Sequence, residues 1–243
     1  MNISIIIPAH NEAQRIKKTI EHYDAFFRHQ SSTLIKRYEF VVVLNGCTDA
    51  TKDVIGSISH TIQTLYVVDL PQAGKGLAIS AGFSHALGRD NDLIGFVDAD
   101  MATSPHAFYT LVEQLGTADG IIASRYMPGA RIYPPRPRIK RWGSRLIYEP
   151  LIRLLFGIHY YDYQCGAKLF KRHVIEKITP QLTTMQWAFD VELLYLCRRH
   201  HFQIKEVPTE WHDQAGSTLK IKSGFTMLAW LFKLRWHYRF WYQ

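Results

Sequence analysis

Leu93-Ile-Gly-Phe-Val97-Asp98-Ala99-Asp100 is the stretch on which the reading of this 243-residue chain turns. A short apolar run leads directly into an Asp-x-Asp pair. A strand covered on both faces reads as a continuous apolar run rather than an alternation, so Leu93–Val97 is expected to be a buried strand. In an extended chain, residues i and i+2 point to the same side, so Asp98 and Asp100 can face one point at the strand's carboxyl end. Two hard oxygen ligands there suit Mg²⁺ or Mn²⁺, which can hold a diphosphate while keeping water in other positions. The alternative is that Asp100 caps the helix beginning near Pro105, with Asp98 in a turn. Placement at the end of a buried parallel strand favours the metal–diphosphate reading.

Four other runs share this character: Ile3–Ile7, Tyr38–Leu44, Leu65–Asp69 and Gly120–Ser124. Helix-length segments separate them, from Glu12 to about Arg28, Asp49 to Ile58, Gly74 to Leu87 and Pro105 to Leu115. Strands alternating with helices imply right-handed crossovers, hence an α/β fold with a mostly parallel sheet. Gly129–Tyr148 contains no acidic residue and gathers Arg131, Arg136, Arg138, Lys140, Arg141 and Arg145. Pro134, Pro135 and Pro137 keep its first part out of a helix. A helix from about Ile139 to Phe156, a strand at Ala167–Phe170, a helix from about Phe189 to His200 and a strand at Gln203–Val207 complete the pattern. Apolar residues at 47% and charged residues at 21% exclude disorder and fibrous repeats. Cys47, Cys165 and Cys197 are too few and too scattered for a disulfide framework or a zinc ribbon, and favour a reducing compartment. The start, MNISIIIPAHNE, lacks a basic region and breaks at Pro8, so it does not read as a signal peptide. No run approaches the roughly 18–20 apolar residues that cross a bilayer. A cytoplasmic chain is expected.

In a parallel sheet, ligands gather where strands end. After the first strand, Pro8 is expected to end the pairing and Asn11 to cap the next helix. Glu12 is either favoured by that helix's dipole or presents acceptors to the N–H edge of a base. Asn45-Gly46 reads as a tight turn and Asp49 as a helix cap. Gly74-Lys75-Gly76 lacks the lead and the Ser/Thr of a Walker A loop, though Lys75 can still sit near phosphates. Arg125 can form a fork-like pair with a phosphate, or be an ordinary surface arginine. Asp190 can be a helix cap, or a positioned acid or base beside Trp187 and Phe189.

Read in order over about residues 3–218, the segments IIIPAHNEAQRI, VVVLNGCTDAT, GKGLAISAGF, FVDADMATSP, ASRY, DYQCGAKLF and WAFDVELL followed by KEVPTEWHDQAGST resemble a family 2 glycosyltransferase of the GT-A fold. The branch they resemble is the polyprenyl-phosphate (dolichyl-phosphate) glucosyl- and mannosyltransferases; the Q-x-x-R-W motif of processive synthases is absent. The resemblance implies an inverting transfer of a hexose from a nucleotide-sugar to a dolichyl or undecaprenyl phosphate. It implies a GT-A domain over 1–218, with helices on both faces of its sheet, and a C-terminal aromatic-cationic helix within 219–243. It sets Pro8, Ala9, Asn11 and Glu12 against the nucleoside, with Asn45 at the base. Asp98 and Asp100 would hold Mg²⁺ or Mn²⁺ on the diphosphate, and Ala99 would touch the ribose or phosphate. Arg125 and either Arg131 or Arg136 would bind phosphates of donor or acceptor. Asp190 falls nearest the reacting acceptor, as the catalytic residue, and Ser217 lies in the loop closing over the donor. Two positions depart from the pattern: Asn45 stands where many members have aspartate, and Ala102 where mannosyl-transferring members often supply a ligand. Met101-Ala-Thr-Ser-Pro105 is nearer the glucosyl branch, which favours UDP-glucose over GDP-mannose.

The net charge of +8 arises without any nucleic-acid-binding motif, so an anionic membrane surface is the expected partner rather than RNA or DNA. Phe225, Leu228, Phe232, Trp236 and Phe240 recur at helical spacing, with Lys233, Arg235, His237 and Arg239 among them. That mixture suits an interfacial anchor on the cytoplasmic face of a membrane; packing on the domain or against a second copy is the alternative. If the segment is an appendage, removing 224–243 is expected to leave the domain folded. The competing function is a soluble transferase acting on a sugar or protein hydroxyl.

Overall fold

The computed structural model describes residues 1–30, 34–134, 148–186, 188–213 and 221–240, and within the last stretch the side chains of 228–238. Its elements in chain order are β1 (Asn2–Ala9), α1 (Ile16–His29), β2 (Arg37–Asn45), α2 (Thr51–Ser59), β3 (Leu65–Leu70), α3 (Lys75–Leu87), β4 (Leu93–Phe96), α4 (Pro105–Gln114), β5 (Gly120–Ser124) and β6 (Arg131–Tyr133). Helical residues 148–156 form α5. There follow β7 (Lys168–Lys171), α6 (Arg172–Ile178), α7 (Phe189–Arg199), β8 (Ile204–Pro208), β9 (Glu210–His212) and α8 (Ile221–Phe240). Every strand expected from the apolar runs is present to within two residues at either end. The sequence reading missed α6, β6 and β9; β6 and β9 are three-residue strands, too short to show a period.

The main sheet has the order β3-β2-β1-β4-β7-β5-β8, parallel throughout except for β7. From β1 the chain moves outward through β2 to β3, and α3 then returns it to β4 on β1's other side. That reversal opens a crevice between the ends of β1 and β4, the position where such sheets bind ligands. Pro8 does not end β1: pairing with β2 continues through Pro8↔Val43 and Ala9↔Leu44. Alternate residues of a parallel strand face alternate neighbours. Ile6 bonds toward β4, where Val97 N donates to its carbonyl, so Pro8 also faces that side, beyond the last paired residues.

The sheet is covered on both faces, which explains the unbroken apolar runs. Ile3, Ile5 and Ile7 join Phe40, Val42 and Leu44 in a core shared with α1, α2 and α4. Ile6, Val41, Val43, Ile94 and Phe96 face the other way, into a core completed by α3 and α5 to α8. The basic residues at 135–147, Arg136 included, lie outside the described residues, as do Trp187 and Ser217.

No helix among the described residues is long and apolar enough to cross a membrane. The final helix is integral to the second core: Leu231, Leu234 and Tyr238 are buried there. Removing 224–243 would take these three side chains out and uncover the core residues they pack on, so deletion is expected to cost stability as well as any surface contact. Its opposite side presents Phe232 and Trp236, 56% and 67% exposed.

Candidate active site

Two strand ends and the start of α3 are fastened together by one buried side chain. Asn45 Nδ2 donates to Ala9 O at 2.9 Å, and Gly74 N donates to Asn45 Oδ1 at 3.1 Å. Both ends of the amide are thus committed to shaping the pocket floor, where the sequence suggested a contact with the base. Asn11 adopts the left-handed region, φ 56°. Its Oδ1 accepts from Thr48 N at 2.8 Å and Asp49 N at 3.3 Å. The expected cap is therefore absent; α1 begins at Ile16 without a side-chain cap, and Asn11 ties the loop after β1 to the loop after β2. Glu12 accepts both Arg15 Nε (2.7 Å) and Arg15 Nη2 (2.9 Å), so its carboxylate already carries a guanidinium. Burial, with help from Asp100 and Asp98, nonetheless pushes the Glu12 carboxyl above its usual range.

Asp98 lies just past the end of β4 and Asp100 in the turn that follows, so the pair does not share one extended strand as the spacing suggests. Met101 adopts φ 61°, and Ala102 N donates to Asp100 Oδ1 at 3.0 Å, which closes the turn. Ala99 is buried, and its carbonyl accepts from Thr19 Oγ1 at 2.6 Å. Asp100 does not cap α4. Ser104 does, its Oγ accepting from Ala107 N at 3.1 Å. Asp98 Oδ1 pairs with Lys75 Nζ at 2.7 Å. Across from it stands Gly166, where a Cβ would overlap the Asp98 carboxylate. Gly74 and Gly76 likewise let the start of α3 approach the backbone at Thr184 and Met185.

Arg125 does not offer a free fork. Its Nε and Nη2 donate to Asp162 at 2.7 and 2.9 Å, its backbone N–H adds a bond at 3.0 Å, and its guanidinium lies 4.9 Å from the Trp211 ring centroid. A buried guanidinium needs a counter-charge, and Asp162 supplies it. Asp190 is no helix cap either; Ala188 holds that position. Buried in the first turn of α7, Asp190 accepts from the fully buried Lys168 Nζ at 2.6 Å, and that ammonium also donates to Cys165 O at 2.7 Å. Arg131 is exposed in β6, whose backbone joins Thr209.

These pairs set the electrostatics. Lys75, Arg125 and Lys168 are each matched by one carboxylate, from Asp98, Asp162 and Asp190. Burial would raise the Asp98 carboxyl, but Lys75, with Lys168 and Arg125 behind it, holds it below its usual range. For Asp162 the same opposition is won by Arg125. Lys75 is pushed upward, Asp98 and Asp190 outweighing its burial. Asp100 has no ion-pair partner among the described residues, and burial together with Asp98 raises its carboxyl. The crevice therefore carries one unmatched acidic group beside a second, with hard oxygens only. That donor set fits Mg²⁺ or Mn²⁺; a diphosphate would meet net negative charge here without a cation.

Residues 4–179 match glycosyl transferase family 2. The chain belongs to that family. Among its relatives are dolichyl-phosphate beta-glucosyltransferase ALG5D of Trichomonas vaginalis, 30% identical over 98% of this chain and 74% of that protein. The dolichyl-phosphate beta-glucosyltransferases of Drosophila melanogaster and Saccharomyces cerevisiae are 33% and 31% identical, each over 90% of this chain and 69% of the relative. The fold is that of GT-A enzymes. Glucosyl-3-phosphoglycerate synthase from Mycobacterium tuberculosis, solved with UDP, superposes with a TM-score of 0.70 at 18% identity, covering 96% of this chain and 78% of that one. The same synthase has been solved with Mn²⁺, UDP-glucose and phosphoglyceric acid.

For this family 2 glycosyltransferase, the sequence-predicted residues Lys75, Asp98, Asp100, Arg125 and Asp190 come together in one charge cluster. Pro8, Ala9, Asn11, Glu12 and Asn45 line the adjoining ends of β1 and β2. Sequence reasoning assigned no role to Asp162, Gly166 and Lys168, although all three lie in the quoted DYQCGAKLF; their spacing matches no motif, and only β7 and the loop before it bring them to the ends of β4 and β5. Gly166→Ala is expected to displace the Asp98 carboxylate and lower donor turnover about 10²-fold, the cost of misplacing a reacting group by ~1 Å. Steady-state kinetics read this against Gly56→Ala, a helical position with open space around it, which should leave turnover unchanged.

Proposed function

We propose that this protein transfers glucose from UDP-glucose to a polyprenyl phosphate, with inversion at the anomeric carbon. The observation that carries the reading is the unmatched Asp100 beside the ion-paired Asp98 at the crevice between β1 and β4. It is supported by relatives at about 30% identity that are dolichyl-phosphate beta-glucosyltransferases and by the UDP, UDP-glucose and Mn²⁺ bound in a synthase of the same fold. Asp98 and Asp100 would hold Mg²⁺ or Mn²⁺, which when bound offsets charge developing on the departing nucleoside diphosphate.

The chain's own groups fit an acceptor that is already anionic. An acceptor phosphate oxygen attacks the anomeric carbon, the bond to the diphosphate oxygen breaks, and the nucleoside diphosphate leaves with the electron pair. No proton has to move, because a phosphomonoester is largely doubly ionised near neutrality, its second pKa being about 6. Asp190, clamped by Lys168, then orients groups rather than receiving a proton. A hydroxyl acceptor would instead require Asp190 as the base, and its loss would cost on the order of 10²–10⁴ in rate. The expected result is product formation from UDP-glucose and a short prenyl phosphate with Mn²⁺ present. Asp190→Asn should retain kcat within about tenfold on that acceptor; a fall of 10³ or more, or turnover only with sugar hydroxyls, would contradict the proposal.

A peripheral position on the cytoplasmic face of a membrane belongs to the same reading. Phe232 and Trp236 project from α8 with Lys233 and Arg235 beside them, and Leu154 on α5 is 82% exposed. Aromatics flanked by cations suit an anionic lipid surface, each nearby cation adding about 1 kcal/mol. The Phe232→Ser, Trp236→Ser double variant is expected to keep its thermal midpoint within a few degrees and to lose sedimentation with anionic vesicles. Unchanged sedimentation would refute the anchor.

A further inference from the structure

Glu192 is fully buried in α7, and among the described residues it has no ion-pair partner. Four donors satisfy it instead: Thr183 N at 2.9 Å, Thr183 Oγ1 at 2.6 Å, Thr184 N at 2.7 Å and the Tyr238 hydroxyl at 2.8 Å. A buried carboxylate without a cation is costly unless its acceptors are filled, and here the donors come from two different elements. Two residues of the strap at 183–186 and one residue of α8 therefore converge on a single side chain.

The strap leads to the donor crevice. Leu77 N, in the first turn of α3, donates to Met185 O at 3.3 Å, and Gln186 Nε2 donates to Ala73 O at 3.4 Å. A Cβ at Gly74 would stand 2.6 Å from Met185 O, and one at Gly76 would overlap Thr184 O, so strap and helix start touch backbone to backbone. Between those glycines is Lys75, whose ammonium lies 2.7 Å from Asp98 Oδ1. The path from Tyr238 through Glu192, Thr183–Met185 and Gly74–Leu77 to Lys75 is continuous.

We infer that Glu192 is a positioning residue for donor binding: it fixes the 183–186 strap, the strap fixes the first turn of α3, and Lys75 is thereby aimed at Asp98 and the donor's phosphates. Tyr238 extends the linkage to α8, so the seating of that helix and the placement of Lys75 are coupled. This rests on the donor reading above.

Glu192→Gln tests it, because the amide nitrogen sets a donor against the N–H or hydroxyl donors of the strap. Tyr238→Phe is the milder second variant, removing one of the four bonds. Two readouts apply. The first is titration of UDP and of uridine with Mn²⁺ present; Glu192→Gln should weaken UDP about tenfold, within the usual range of coupling between sites, and leave uridine unchanged. In a Lys75→Met background the same substitution should have no further effect on UDP, as expected for residues acting through one another. The second is amide hydrogen exchange, which needs no ligand: Gly74–Leu77 should exchange faster in Glu192→Gln, and to a smaller degree in Tyr238→Phe. Equal weakening of UDP and uridine, additivity with Lys75→Met, or unaltered exchange at Gly74–Leu77 would each overturn the inference. Should the unmodified protein bind no nucleotide, the donor reading fails on its own, and the exchange experiment still judges the mechanical link.

Discussion

Charge pairing around Asp98 is the constraint from which the rest of the site follows. Three cations and three carboxylates meet in one region, Arg125–Asp162 and Lys168–Asp190 largely buried and Lys75–Asp98 half-buried at its open side, each cation held by its own partner. Removing one member of either buried pair leaves an uncompensated charge, which typically costs about 3–5 kcal/mol. Any phosphate these cations meet, they meet as members of a pair rather than as loose ligands. Asp100, without an ion-pair partner among the described residues, gives the crevice a surplus of negative charge at the place where the sheet topology puts a ligand. Under the proposed function a divalent ion would offset that surplus and make the crevice a site for a diphosphate.

Glycines make the arrangement possible. Gly166 gives the Asp98 carboxylate its space, while Gly74 and Gly76 let α3 begin directly against the strap. Left-handed backbone at Asn11 and Met101 turns the chain sharply after β1 and β4. Non-glycine residues in that region are uncommon and tend to cluster at functional sites. Here both turns bring acidic side chains, Glu12 and Asp100, into the same crevice.

The layered fold was legible in the sequence because both sheet faces are buried, and burial on both faces writes unbroken apolar runs such as Val41–Leu44 and Ile5–Ile7. That Asp98 and Asp100 share one strand end was legible for a related reason, since they follow the apolar run of β4 directly, whereas the turn at Met101 that places Asp100 was not. The partners were hidden. Arg125 looked like a phosphate ligand because spacing cannot reveal that Asp162, far along the chain, reaches it from the loop before β7. Asp190 looked like a cap or a base because Lys168 sits on a strand whose inward side chains are otherwise apolar. Asn45 and Asn11 were read as contacts to a ligand or a helix, whereas long-range backbone groups claim their amides. Sequence periodicity reports which face is buried; it does not report which charges meet there.

The most direct test of the account is where manganese and the diphosphate come to rest. Anomalous diffraction from crystals grown with Mn²⁺ and UDP-glucose should place the ion on Asp98 and Asp100, with the diphosphate on its far side and Arg125 still held by Asp162. Manganese elsewhere, or a diphosphate gripped by Arg125 while Asp98 and Asp100 remain bare, would contradict it.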